Sequence, residues 1–352
     1  MSEDVQLSLE PQPSLPQSAY NYGVRTSGAT HGVVLTKPHI VALILDLAGY
    51  TSDRDLSSLR LLEPACGEGA FLLPAVERLL ASAERSNAAR ANLRDAVSAY
   101  DIDQVHVDRS REAVAEVLRQ HHFSRAEARQ LAAHWIAQGD FLLARQDRRF
   151  DVIVGNPPYV RIEQLDPGLQ AEYRRRFESL FDRADLYVAF IEQSINLLST
   201  EGVLSFICAD RWIANKYGAP LRRIVADRCG VECYVDLHKA SPFESDVIAY
   251  PSIFAMRRRK TNQVKVVSLA TGSREECESV LPAMQGGTAD GQRVRLSVYD
   301  SWFTGDEPWI ISSPQQLAAL RALEAARRRR THAGGHRRRD RVRPNLRRSR
   351  RR

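Results

Sequence analysis

The sequence predicts a doubly wound α/β domain, in which a mainly parallel sheet of seven strands is covered by helices on both faces. Short apolar runs alternate with helical stretches along most of the chain, and that alternation implies parallel strands joined by crossover helices. Glycines and acidic residues gather just past several of those runs, outside the carboxyl ends of strands, where doubly wound folds bind ligands. With 352 residues, 43% hydrophobic and 26% charged, the chain lies near globular averages and can bury a large core.

Residues 1–20 are largely polar, with Pro11, Pro13 and Pro16 close together, and read as an irregular arm. The main domain follows over 21–260. Ile40, Val41, Ile44, Leu45 and Leu47 recur at helical spacing between Pro38, suited to a first turn, and Gly49, suited to a stop. The seven strands are read over 59–64, 96–101, 135–138, 150–155, 203–208, 233–237 and 253–256. Helices are read over 71–92, 104–119, 185–198 and 219–229. Beyond Met256 one more strand is read over 264–269. Residues 278–295, with Gly286-Gly287 and few apolar positions, read as a connection, and 314–326 as a short Ala- and Leu-rich helix. The segment 261–326 is therefore expected to be a connecting region. Residues 327–352 are an arginine-rich, low-complexity tail that cannot build a core.

The formal charge of +7 belongs to that tail. Its 26 residues carry fourteen Arg and one Asp, a net +13, which leaves −6 on the rest of the chain. The basic balance therefore says nothing about the partner of the folded part. The five cysteines (Cys66, Cys208, Cys229, Cys233, Cys277) form no CxxC pair, which argues against a zinc ribbon or disulfide framework and fits a reducing compartment. The histidines lack metal-ligand spacing, so no metal site is expected. The apolar stretch 41–47 is too short to span a bilayer and the first residues are acidic, so a cytoplasmic protein with no membrane contact is expected.

Four constellations carry chemistry. Between the first strand and its helix lies Glu63-Pro64-Ala65-Cys66-Gly67-Glu68-Gly69-Ala70-Phe71. Its glycines at 67 and 69 let a cofactor approach the backbone, while Leu72 occupies the third glycine position of the dinucleotide fingerprint and disfavours a nicotinamide cofactor. Tyr100-Asp101-Ile102-Asp103 ends the second strand. There one acid can accept from both hydroxyls of a ribose and the other can cap the following helix. Gln138-Gly139-Asp140-Phe141 ends the third, and an Asp beside an aromatic suits an adenine amine and ring. The fourth is Phe150-Asp151-Val152-Ile153-Val154-Gly155-Asn156-Pro157-Pro158-Tyr159. An Asn amide oxygen and a proline-stiffened carbonyl can both accept from one planar amine, and Tyr159 can stack on the ring that bears it.

On these residues the sequence resembles the S-adenosylmethionine-dependent amino-methyltransferases, and within them the γ-group N6-adenine DNA methyltransferases of restriction-modification systems. The resemblance covers about residues 20–326 and implies the Rossmann-like class I methyltransferase fold. Glu63, Ala65, Gly67 and Gly69 look like the family's cofactor loop, Asp101 and Ile102 its ribose site, Asp140 and Phe141 its adenine site, and Asn156, Pro157 and Tyr159 its catalytic loop. Gly32-Val33-Val34-Leu35-Thr36-Lys37-Pro38 looks like the motif that closes over the methionine moiety, with Thr36 as its contact. The family's usual Thr-Pro is interrupted here by Lys37. The resemblance implies methyl transfer to N6 of an adenine flipped out of duplex DNA, with no strong base needed because the methylated ammonium is acidic. It also implies a second aromatic facing the target base, for which Phe243 is the candidate and Tyr250 the reserve.

The Asn-Pro-Pro-Tyr loop is shared with methyltransferases of protein glutamine and of ribosomal RNA guanine, so glutamine N5-methylation is an alternative. A catalytically silent or partner-dependent DNA-binding fragment is another. The greatest departure follows Ala326. The family continues there into a recognition domain, whereas this chain has only arginine-rich residues, expected to come from an interrupted reading frame near Arg327 or to hold phosphates. A separate recognition or specificity subunit would then be a partner. Arg174-Arg175-Arg176 and Arg222-Arg223 read as solvated helix faces or phosphate contacts.

Overall fold

The computed structural model describes residues 35–245, 250–287 and 291–323. The irregular arm, Gly32 to Val34, the end of the last helix and the arginine-rich tail lie outside the described residues.

In chain order the elements are α1 (Pro38–Leu47), β1 (Leu61–Glu63), α2 (Leu72–Ser86), β2 (Val97–Asp101), α3 (Gln104–Gln120), α4 (Arg125–Trp135), β3 (Ile136–Gln138), β4 (Phe150–Gly155), α5 (Pro167–Arg176), α6 (Tyr187–Leu197), β5 (Leu198–Ala209), α7 (Arg211–Ala214), α8 (Ala219–Arg228), β6 (Gly230–Asp236), β7 (Pro251–Arg257), β8 (Val264–Leu269), α9 (Arg274–Met284) and β9 (Val294–Tyr299). Local chemistry sets many boundaries. Pro38 opens α1, and Gly49 at φ +68 follows its end. Asn87 in the left-handed region stops α2 six residues before the expected end. Asp103 caps α3 by accepting from Val105 N, as one of the two acids at the end of β2 was expected to do.

One sheet holds all nine strands in the order β3-β2-β1-β4-β5-β7-β6-β8-β9. The seven expected strands occupy its first seven positions. β1 to β5 run parallel to one another, and β7 runs antiparallel to both β5 and β6. β8 then pairs parallel with β6, and β9 antiparallel with β8. The strand read over 264–269 is β8, and the expected connecting region is corrected over 274–299, where α9 and β9 follow it and the sheet has nine strands in place of seven. Its apolar content looked too sparse because β9 is an edge strand with only its ends buried, and because α9 carries a narrow stripe of Cys277, Val280 and Ala283.

Side chains alternate between the two faces of the sheet. Leu61, Val97, Val152, Val154, Val203 and Ile207 share one continuous core with residues of α1, α2, α3, α4 and α9. The intervening Ile153, Leu204 and Phe206 are equally buried and are left to the other face, where α6 and α8 pack on each other and on β5 and β6. Residues on both faces are apolar, as a mainly parallel sheet requires.

The described residues fall into two compact units, one ending at Trp309 and the other beginning at Ile310. In the second, a helix over 314–323 begins after Ser313, whose hydroxyl accepts from Gln316 N while Gln316 Oε1 accepts from Ser313 N. Among the described residues no helix is long and apolar enough to cross a membrane.

Candidate active site

The parallel strands place their carboxyl ends on one side of the sheet, and the sequence motifs follow those ends. After β1 the chain turns through Gly67 at φ +52 and Gly69 at φ +94, conformations that L side chains rarely adopt. Hydrogen bonds fix this turn. Cys66 N donates to Tyr100 O at 2.8 Å, Gly67 N to Asp101 Oδ2 at 2.8 Å, and Ser110 Oγ to Gly67 O at 2.7 Å. Arg109 of α3 also holds Glu68 by an ion pair. A Cβ built on Gly67 would meet nothing within 4 Å, so open space lies over the turn.

Two acids face this turn. Glu63 is 1% exposed, its Oε2 has no hydrogen-bond partner among the described residues, and burial, with the Asp101 charge second, pushes its carboxyl well above the usual range. Asp101 accepts from Gly67 N through Oδ2 and from Asp103 N through Oδ1, with His106 Nδ1 3.4 Å from Oδ1. The hydrogen bond to Asp101, followed by the charges of Asp101, Asp103 and Glu68, outweighs burial and raises the His106 pKa. The ribose acid was legible in the sequence, but its ties to the glycine turn were not. An unpartnered buried carboxyl oxygen, a second carboxylate and open space over a glycine form a donor set that fits a cationic ligand such as S-adenosylmethionine. Ala65 sits half-buried in the turn, and the Ile102 carbonyl accepts from Gln138 Nε2.

Past β3, Asp140 is buried and accepts from Leu142 N at 2.8 Å and from Tyr173 OH at 2.5 Å. Burial raises its carboxyl pKa against the pull of those hydrogen bonds. Tyr173, on α5, was not anticipated, and no spacing in the sequence links it to Asp140. Phe141 does not present its ring at the surface, as an adenine contact through the ring requires. It is 1% exposed and packs against Tyr100 and Phe190, because a phenyl ring beside a buried strand end gains more by joining the core.

At the end of β4 the loop Asn156 to Tyr159 lies beside the segment that precedes α1, and Asn156 Nδ2 donates to Thr36 Oγ1 at 3.3 Å. Pro157 is buried. Tyr159 has a buried hydroxyl with no hydrogen-bond partner among the described residues, and burial pushes its pKa well up, so the phenol stays neutral. Phe243 approaches it edge-on, with centroids 6.2 Å apart and planes at 83°. The two expected stacking aromatics are therefore brought together, but not face to face with a slot between them. Tyr250 is 54% exposed and its ring lies 5.3 Å from that of His238.

Other polar groups near this edge were not foreseen. Tyr187, whose ring is 6.2 Å from that of Tyr159, shares a 2.7 Å hydrogen bond with Tyr217 OH, which reaches Asp185 Oδ2 at 3.3 Å. Asp210, just past β5, accepts from Tyr234 OH at 2.7 Å and lies 2.7 Å from His238 Nε2. Arg174, Arg175, Arg176 and Arg223 lie exposed, as expected of a solvated helix face. Arg174 donates to the carbonyls of Leu180 and Asp182, and Arg175 and Arg176 donate to Glu172. Arg222 is corrected from a solvated face to a buried side chain that donates to the carbonyls of Trp212, Asn215 and Asp306, since a buried guanidinium must find acceptors for its N–H groups.

The sequence matches the model of the Eco57I restriction-modification methylase family over residues 73–243. It is 40% identical over 307 residues to the type II methyltransferase M.BstVI of Geobacillus stearothermophilus, a match covering 84% of this chain and 55% of that protein. Identity to the type II methyltransferase M.PaeR7I of Pseudomonas aeruginosa is also 40%, over 316 residues, 88% of this chain and 55% of that protein. The chain thus spans about half the length of the curated relatives it matches. A modification subunit of a putative type I restriction enzyme from Vibrio vulnificus YJ016 is similar in fold, with TM-score 0.58 and 14% identity over 82% of this chain and 61% of that one. A putative class I S-adenosylmethionine-dependent methyltransferase from Listeria monocytogenes gives 0.53 and 16% over 74% and 72%. In sequence the chain is similar to the Eco57I family of restriction-modification methylases, and in fold to a class I S-adenosylmethionine-dependent methyltransferase.

Proposed function

We propose that this chain is the catalytic part of a restriction-modification methyltransferase, which transfers the methyl group of S-adenosylmethionine to N6 of an adenine in DNA. The observation that carries this reading is the convergence, past the carboxyl end of β4, of the Asn156 to Tyr159 loop, Thr36 and Phe243. Glu63, Ala65, Gly67, Gly69, Asp101, Ile102, Asp140 and Thr36 are assigned to the cofactor, while the Phe141 ring stays in the core behind them. S-adenosylmethionine, when bound, supplies an electrophilic methyl group. A cationic ligand also relieves the burden on Glu63, since a positive charge at its unpartnered oxygen favours the ionised carboxylate.

The chain's own residues then act on the amine. Asn156 Oδ1 and the Pro157 carbonyl accept its two N–H bonds and draw the nitrogen lone pair out of conjugation with the ring. Tyr159 stacks on the flipped base and offsets part of the unstacking cost. Since Phe243 lies edge-on to Tyr159, admitting a base between the rings requires the Phe243 ring to turn. Once the nitrogen has gained its fourth bond it is acidic and sheds a proton to solvent, so no His is needed in the loop. Duplex DNA is the proposed substrate and a specificity subunit the proposed partner. The partner reading is supported by the likeness in fold to a type I modification subunit. A cytoplasmic location accords with this role.

The test is incubation with labelled S-adenosylmethionine and unmethylated genomic DNA, followed by digestion to nucleosides. Labelled N6-methyladenine is expected from the native chain, with a loss of at least about 100-fold in Asn156→Ala, which removes an acceptor made for the reacting nitrogen. Product with undiminished yield in Asn156→Ala, or transfer to protein glutamine instead, overturns the assignment.

A further inference from the structure

Thr36 sits at a junction that its expected cofactor role does not explain. Its side chain is 5% exposed and its hydroxyl accepts from Asn156 Nδ2 at 3.3 Å. Its backbone forms an isolated antiparallel bridge with Phe243, flanked by Lys37 N donating to Pro242 O and Glu244 N donating to Leu35 O, each at 2.9 Å. The next residue caps α1, and α1 is packed into the main core, so this point is anchored to a rigid element.

A carboxamide has two ends of nearly equal size and opposite chemistry, and its terminal torsion has no sharp preference. Accepting an amine proton needs the oxygen end towards the substrate. A partner that holds the nitrogen end selects that orientation. We propose that Thr36 is the positioning residue for Asn156: its hydroxyl fixes the amide orientation that presents Oδ1 to the target amine. Its bridge to Phe243 refers the target-base aromatic to the same anchor. The inference rests on the reading of Asn156 as the amine acceptor, and it moves the main work of Thr36 from holding cofactor to ordering the catalytic loop.

Two variants separate these roles. Thr36→Val keeps the shape of the side chain and removes the hydroxyl, while Thr36→Ser restores it. If Thr36 positions Asn156, Thr36→Val lowers kcat at saturating cofactor and DNA by about 10-fold or more, the scale of a small misplacement of a reacting group. The KM for S-adenosylmethionine then changes less than about threefold, and Thr36→Ser recovers most of kcat. A raised cofactor KM with native kcat at saturation overturns the proposal and leaves Thr36 as a cofactor contact. A second readout does not depend on turnover. With asparagine selectively labelled with nitrogen-15, the side-chain amide signal of Asn156, identified by its loss in Asn156→Asp, shifts in Thr36→Val and returns in Thr36→Ser. An Asn156 signal unchanged in Thr36→Val overturns the proposal as well. If the native chain forms no N6-methyladenine, the functional reading fails by that assay, while the amide signal still decides the Thr36 contact.

Discussion

Glu63 is buried at the end of β1 with one carboxyl oxygen unpartnered among the described residues, an arrangement that costs the cofactor-free protein stability. Its folded pKa lies above that of an exposed glutamate, chiefly through burial. The favourable balance therefore holds below the unfolded value of about 4.3 and is lost as pH rises from there through the raised folded value. Glu63→Gln removes this loss. Thermal denaturation of the cofactor-free protein is expected to show the variant gaining on the native chain as pH goes from 5 to 8, by a few degrees if the penalty is about 1 kcal/mol. Calorimetry should show its affinity for S-adenosylmethionine reduced at least about 10-fold, since a neutral amide replaces an acid facing a cation. A variant with equal melting temperature at both ends of the pH range would contradict the buried-carboxyl account. The acids at strand ends were readable in the sequence because their positions follow the strands. Tyr173 on Asp140 and His106 on Asp101 were not, since each contact joins residues whose approach depends on how helices cross the sheet.

Helix α4 shows where local signals were present and went unread. Ser124 accepts from Glu127 N at 3.2 Å, and Glu127 Oε2 accepts from Ser124 N at 2.9 Å, a reciprocal cap that opens the helix. Ala128, Ala132 and Trp135 form its buried stripe, too small and too alanine-rich to stand out as an apolar periodicity. Ser124→Ala is expected to cost about 1 kcal/mol in urea denaturation, without changing the KM for cofactor. A loss much above 2 kcal/mol would mean that Ser124 does more than cap. β9 was missed for another reason: an edge strand buries little, so its alternation carries few large residues. The interior strands β1, β4, β5 and β7 stand out in the sequence because a strand covered on both faces is apolar at most positions.

Across the main unit the chain doubles back after β9. Trp302, Phe303 and Trp309 return to α7, where Trp309 N donates to Ile213 O at 2.8 Å. Trp309 stacks on Phe303 at 4.0 Å and meets Trp212 edge-on at 4.8 Å. Arg222 Nε donates to Asp306 O in the same return. This aromatic cluster ties residues more than ninety positions apart and lies on the strand β5 side of the candidate active site, since α7 follows β5. Trp309→Ala is expected to cost about 3–5 kcal/mol in denaturant unfolding, in the range of large-to-small core changes at aromatic residues. A cost below about 1 kcal/mol would show that the return segment is not part of the cooperative core.

The order of strands and helices, and the functional residues attached to strand ends, follow from local pattern, because burial on both faces and turn chemistry leave their mark on neighbouring residues. The four motifs could be read for the same reason, each lying within ten residues or fewer of a strand end. What the sequence did not contain is the meeting of segments far apart in the chain: Thr36 with Asn156 and Phe243, Arg222 with the return from β9, and the addition of β8 and β9 to one continuous sheet. Those contacts depend on the twist of the sheet and the packing of α1 and α9 against it, quantities that no spacing of residues encodes.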